Sequence, residues 1–119
     1  MLHITGNKIH LTRGDTAFIK VDLKKHDGET YVPQEGDHIY FRLKKLATAN
    51  NVLVEKEVSF DVVGNDTYLI LELQENDTKD LDFSTYKYEI EVVTSEGYRF
   101  TAIENTAFEI GAELEVHSG

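Results

Sequence analysis

The stretch Tyr86-Lys-Tyr-Glu-Ile-Glu-Val-Val-Thr94 limits the fold of this chain more than any other segment. Tyr86, Tyr88, Ile90 and Val92 alternate with Lys87, Glu89 and Glu91, the period of two that gives a strand one buried face. The approach, Leu81-Asp-Phe-Ser-Thr85, adds a second constraint. Asp82 stands four residues before Tyr86, within reach of a tyrosine hydroxyl that folds back to upstream backbone.

The same alternation recurs along the chain between Gly- and Asx-rich turns. Leu2–Thr5 and Lys8–Leu11 flank Gly6-Asn7, a pair suited to a tight hairpin. Thr16 to Lys24 carries Ala17, Ile19, Val21 and Leu23 on one face, and the turn His26-Asp-Gly28 follows. A loop, Tyr31 to Gly36, holds the single proline, and Ile39, Phe41 and Leu43 give the next inward set. Ala47–Asn51 reads as an exposed connection. Val52–Val63 places Val54, Val58, Phe60 and Val62 on one side, with Lys56 breaking the pattern as at a bulge, bend or edge. After a turn at Gly64-Asn-Asp66, Leu69, Leu71 and Leu73 face inward. Gln74–Leu81 is the one helical piece expected, capped by Asn76 or Asp77. Ser95-Glu-Gly97 predicts a hairpin into Tyr98–Ile103, followed by Ala107–Ile110 and, past Gly111, by Ala112–Val116. The sum is one all-β domain over residues 1–119, about eight or nine short strands in a single immunoglobulin-like antiparallel β-sandwich. Asp82 and Tyr86 would form the structural corner before its sixth strand. Tyr88 stands where antibody domains place a disulfide cysteine.

Composition narrows the chemistry. The chain has 40% apolar and 29% charged residues with no Cys and no Trp, so packing and sheet ladders alone must hold the fold. A formal charge of −10 repels nucleic-acid phosphates and anionic lipid. The N-terminus lacks the basic-then-apolar pattern of a signal peptide, and no apolar run reaches membrane-spanning length. The expected setting is therefore the cytoplasm, with no nucleic-acid or membrane partner. His3, His10, His26, His38 and His117 show no nucleophile or zinc-ligand spacing, although His3 and His10 could meet across the first hairpin. Acids fall on solvent faces or in turns and there is no Trp platform for a sugar, so no enzyme, catalytic residue, metal or cofactor is expected. The cluster Glu75–Asp82 lacks the calcium-loop pattern and reads as helix capping. Arg13-Gly14-Asp15 reads as a turn feeding a strand.

Outward positions are not purely polar. Phe18, Tyr40, Tyr68, Ile70 and Val93 fall opposite the inward sets, and several such residues on adjacent strands would mark a protein interface. The alternative is a ligand-binding module for glycan or calcium, using loops 31–37, 64–67 and 95–98 with Tyr31 and Tyr98 as stacking rings.

Two groups of residues carry a resemblance. The first is Ile9–Thr16, then Asp27-Gly28, then Pro33-Gln-Glu-Gly-Asp37 before Ile39-Tyr-Phe41. The second is Glu55-Lys56, Asp77-Thr-Lys-Asp-Leu81, Tyr86-Lys-Tyr88, Gly97 and Phe108. Together they resemble small structural proteins of phages and prophages of Gram-positive bacteria, similar to the N-terminal sandwich domains of baseplate upper proteins. That resemblance implies assembly without chemistry, self-association or other virion and tail proteins as partners, and association with the particle after synthesis in the cytoplasm.

Overall fold

A computed structural model describes residues 2–24, 27–46, 51–63 and 66–112. The expected turn at Gly64-Asn65, the connection 47–50, His26, His117 and nearly all of the expected strand Ala112–Val116 lie outside the described residues, as does the side chain of His3.

The chain is mostly β and its strands form two packed sheets. Strands β1 (Leu2–Thr5) and β2 (Lys8–Thr12) make a hairpin through Gly6, whose φ of 60° suits a tight turn. β3 (Ala17–Lys20), β4 (His38–Lys44), β5 (Val52–Glu57), β6 (Ser59–Val63) and β7 (Asp66–Leu73) follow. One helical turn, α1 (Glu75–Thr78), precedes β8 (Ser84–Val93) and β9 (Arg99–Gly111). The larger sheet runs β1-β2-β9-β8-β4-β5, the smaller β3-β7-β6.

Alternation places the core as the sequence predicts. Ile39, Phe41 and Leu43 from β4, Leu69, Leu71 and Leu73 from β7, and Tyr86, Tyr88, Ile90 and Val92 from β8 are all buried in one cluster. Phe41, Tyr88 and Phe108 bring their rings together with centroids 5.5–6.1 Å apart. The Tyr86 hydroxyl donates to the Asp82 carbonyl at 2.7 Å, closing the corner before β8.

Three expectations need correction. The sandwich is not wholly antiparallel: β2 runs parallel to β9, with Ile9 opposite Phe108 and Leu11 opposite Ile110. No hairpin joins these two strands, so the intervening chain leaves their relative direction free. The run 52–63 is two strands in different sheets. Val58 is the crossing point, its N–H donating to the Ile39 carbonyl at 2.7 Å before the chain joins β7. Lys56 breaks the pattern because β5 is an edge; it lies opposite Phe41, and its amine meets Asp77 of α1 at 3.0 Å. Finally, the two expected runs Tyr98–Ile103 and Ala107–Ile110 merge into the one strand β9, with register shifts opposite Tyr88 to Glu91 instead of a break.

The larger sheet has six strands and the smaller three, and β1 and β3 are each an edge. Ile4 of β1 is 47% exposed. A cleft of about 180 Å³ opens there between the sheets, lined by Ile4, Ile9, Ile19, Val21, Tyr88 and Ile103 among others.

Candidate interaction surface

The outer face of the larger sheet is a lattice of paired charges. Arg42 lies between Glu55 at 2.6 Å and Glu91 at 3.0 Å, and Arg99 reaches the same Glu91 at 3.2 Å. Two carboxylates beside one guanidinium raise the Arg42 pKa, the hydrogen bond that Arg42 donates to Glu55 leading. Lys44 pairs with Glu89 at 2.8 Å, while Lys8 and His10 converge on Glu109 at 3.1 Å. Those two contacts hold the Glu109 carboxyl below its ordinary pKa, the hydrogen bond with His10 being the largest cause. Cross-strand register produces this face: Arg42 sits opposite Glu55 on β5 and Glu89 on β8, and His10 opposite Glu109 on β9.

Tyr40 and Val93 belong to this lattice. Tyr40 is half-buried, stacked on His38 with ring centroids 6.2 Å apart, and the Arg42 guanidinium lies 5.3 Å from its ring centre. Val93 is half-buried opposite His38 and Arg99.

The outer face of the smaller sheet is different. Phe18 is 65% exposed, Tyr68 40% exposed, and Ile70 is half-buried between them and the β6 edge. Phe18 sits opposite Glu72 and Lys20 opposite Ile70; across β7, Ser59 faces Ile70 and Asp61 faces Tyr68. The five residues singled out from the sequence therefore divide. Phe18, Tyr68 and Ile70 share one face; Tyr40 and Val93 lie on the opposite one. Alternation assigns each residue to a side of its own strand but not to a sheet, which is why the sequence alone grouped them.

The loops hold a cluster that sequence reasoning missed. Asp37 is 6% exposed, and its carboxylate accepts from the Tyr31 hydroxyl, the Gln34 N–H at 3.0 Å and the Ser95 N–H at 2.9 Å. Burial alone would raise its pKa, yet these three donors together bring it below the ordinary carboxylate value. Burial and the Asp37 contact push the Tyr31 phenol up to about 12. The Tyr31 ring also packs edge-on against Phe100 at 5.0 Å. Tyr31 is thus a fastening between loop 31–37 and the β8–β9 turn, whereas Tyr98, 69% exposed, remains open to solvent. Pro33 and Gly36, three positions apart in the motif Pro-Gln-Glu-Gly-Asp, were the available signal for a tight loop ending in a buried acid.

The remaining candidates are structural. Arg13 lies 4.1 Å over the Phe83 ring and donates to the Leu81 carbonyl, and the Gly14 N–H donates to Thr78 Oγ1 at 2.8 Å. In the acidic cluster, Gln74 is the N-cap and Asp77, at N3, accepts from its N–H at 2.7 Å. The expected cap thus moves to Gln74, because Asp77 reaches back one turn and Asn76 is exposed. His3 and His10 are register partners in the first hairpin. Among the described residues no group of three His, Cys, Asp or Glu could hold a metal ion, and no helix is long and apolar enough to cross a membrane. Comparison of the chain with protein-family models, with curated proteins and with solved structures finds no match.

Proposed function

We propose that this chain is a non-enzymatic structural component of a phage or prophage particle, an immunoglobulin-like β-sandwich that joins a tail or baseplate through protein–protein contacts. The observation that carries the reading is the difference between the two outer faces. One face meets water with cross-strand ion pairs; the other leaves Phe18 and Tyr68 uncovered beside Ile70. Large aromatics left in water on one sheet only are a hallmark of a surface that another protein covers. The immunoglobulin-like assignment is supported by the order β9-β8-β4-β5 set against β3-β7-β6, and by the Tyr86–Asp82 corner. The phage assignment is supported by the residues that resemble small virion proteins, most of which fall on turns and strand faces the fold uses.

The test is incorporation. A host carrying the coding sequence in an inducible prophage should release particles that contain this chain by mass spectrometry. The double variant Phe18→Asp, Tyr68→Asp should fold, by far-UV circular dichroism, and be missing from them. Particles without the wild-type chain, or particles that retain the double variant, would overturn the reading.

A further inference from the structure

We infer that the cleft between β1 and β3 receives an extended strand, and that this strand is residues 112–116 of a second copy of the chain. The inference rests on the assembly reading above for its biological setting. β3 is an edge of the smaller sheet. The Val21 N–H donates to the Leu69 carbonyl at 2.9 Å, so the backbone groups of Val21 face β7. Alternation along an antiparallel pair turns the backbone of Lys20 and Asp22 the other way, toward the open edge. Both residues border the cleft although their side chains are exposed, so it is this backbone that meets it. Main-chain donors and acceptors at the rim, with Ile4, Ile19 and Val21 behind them, suit a strand whose alternate side chains are apolar. The volume of about 180 Å³ exceeds the roughly 150 Å³ of an apolar cavity that admits a benzene ring, which is room for aliphatic side chains.

The sequence supplies such a strand. Ala112, Leu114 and Val116 alternate with Glu113, Glu115 and His117. Charge selects the register. With Glu115 opposite Lys20 in a parallel pairing, Leu114 falls opposite Ile19, Val116 opposite Val21 and His117 opposite Asp22. An antiparallel pairing with the same Lys20–Glu115 contact would set Glu113 against Asp22, like charges together. Among the described residues the Lys20 amine meets only the Tyr68 ring, 5.8 Å from its centre, so it is available to an incoming carboxylate.

The copy that owns the segment cannot use it in this way. Ile4, Ile9 and Ile19 share the cleft, so β3 stacks at the β1–β2 end of the larger sheet, with β7 toward β9. Gly111 ends β9 opposite Thr12, where the chain crosses from β2 to β3. To reach the open edge of β3, the segment would have to cross that connection, which folds avoid. Leu114 also reaches at most about 11 Å beyond Gly111, hardly more than the roughly 10 Å between packed sheets. A second copy meets neither obstacle. Because the strand given and the cleft that takes it are different surfaces, copies join head to tail into rows or rings, as a particle component would.

Sedimentation velocity on the full chain, over a roughly hundredfold range of concentration, reads the association directly. Wild type should pass from monomer to species larger than a dimer as concentration rises. The double variant Leu114→Asp, Val116→Asp should stay monomeric with an unchanged far-UV circular dichroism spectrum. A synthetic peptide of residues 112–119, added in excess, should return wild type to monomer, and the peptide carrying Leu114→Asp and Val116→Asp should not. Lys20→Glu and Glu115→Lys should each weaken association by about tenfold or more, and the two together should restore it. A wild-type monomer at every concentration, or association that survives Leu114→Asp, Val116→Asp, would overturn the inference. Loss in both charge variants without rescue in the pair would overturn the register. Particles that take up Leu114→Asp, Val116→Asp as readily as wild type would leave the assembly reading standing and remove the strand exchange. Particles lacking the wild-type chain, beside peptide-sensitive association in solution, would remove the assembly reading and leave the strand pairing.

Discussion

Replacing Asp37 by Asn removes a charge and alters little else in volume, which isolates what the buried carboxylate contributes. In the native loop Oδ1 accepts from the Ser95 N–H, and Oδ2 accepts from both the Gln34 N–H and the Tyr31 hydroxyl. An amide has one acceptor oxygen. Whichever way it turns, its NH₂ confronts at least one backbone N–H that then has no acceptor. An orphaned buried donor costs about 1–3 kcal/mol, and the surviving bonds lose the strength that a charged acceptor gives them. The expected loss is about 2–4 kcal/mol at pH 7. With a urea m-value on the order of 1–3 kcal/mol/M, the unfolding midpoint falls by about 1 M or more. The pH dependence supplies the second half of the test. The folded carboxyl has a depressed pKa, so its contribution is fully present above the unfolded value near 3.9 and disappears as pH falls through the folded one. The gap between wild type and Asp37→Asn, followed by far-UV circular dichroism because there is no Trp, should therefore close in acid. Equal stability at neutral pH, or a gap of the same size in acid, would refute the assignment.

Tyr86→Phe removes one hydroxyl that donates to the Asp82 carbonyl, and should cost about 1 kcal/mol in thermal unfolding with the fold unchanged. Gly36→Ala places a Cβ 2.8 Å from the Ser95 Cβ at a residue with φ of 93°, whereas at Gly28, φ 87°, nothing lies within 4 Å. Both substitutions are strained by positive φ, but Gly36→Ala should destabilise more, by over ~1 kcal/mol relative to Gly28→Ala in the same denaturation assay. In alkaline absorbance titration, Tyr31 and Tyr88 should ionise only near pH 12, Tyr88 because it is buried, and their raised values mean stability falls as pH climbs from about 10 toward 12. A single transition for all six tyrosines near pH 10 in the folded protein would contradict this.

Much of the fold was legible because a half-buried strand writes its face into the sequence. Every inward residue assigned to β4, β7 and β8 is buried, and the Asp82–Tyr86 spacing located a real hydrogen bond. What failed depends on contacts that local pattern does not carry. Val58 moves the chain between sheets without interrupting the alternation, so 52–63 read as one strand. The parallel pairing of β2 with β9 joins residues about a hundred positions apart, beyond any hairpin rule. The surface was legible by half: Phe18 and Tyr40 were rightly placed outside, but the sheet to which each belongs follows from topology, and their neighbours decide whether an outward aromatic sits among ion pairs or in the open. Tyr31 was taken for a free ring because its partners, Asp37 and Phe100, come from a loop and from the far side of a hairpin.

The parallel seam between β2 and β9 also fixes an order of events. Antiparallel neighbours β8 and β9 meet through a turn of a few residues, so their ladder can form early and locally. β2 finds Phe108 and Ile110 only after the chain between them has already been gathered, because closing so long a loop carries an entropic cost that earlier contacts must offset. The β1–β2 hairpin is therefore the closing stitch of folding and the first piece to lift away from the native state. In hydrogen exchange its amides should open as one unit, at a lower free energy than those of β4 and β8 farther along the same sheet, leaving a core that is intact while one side of the sheet stands briefly undone.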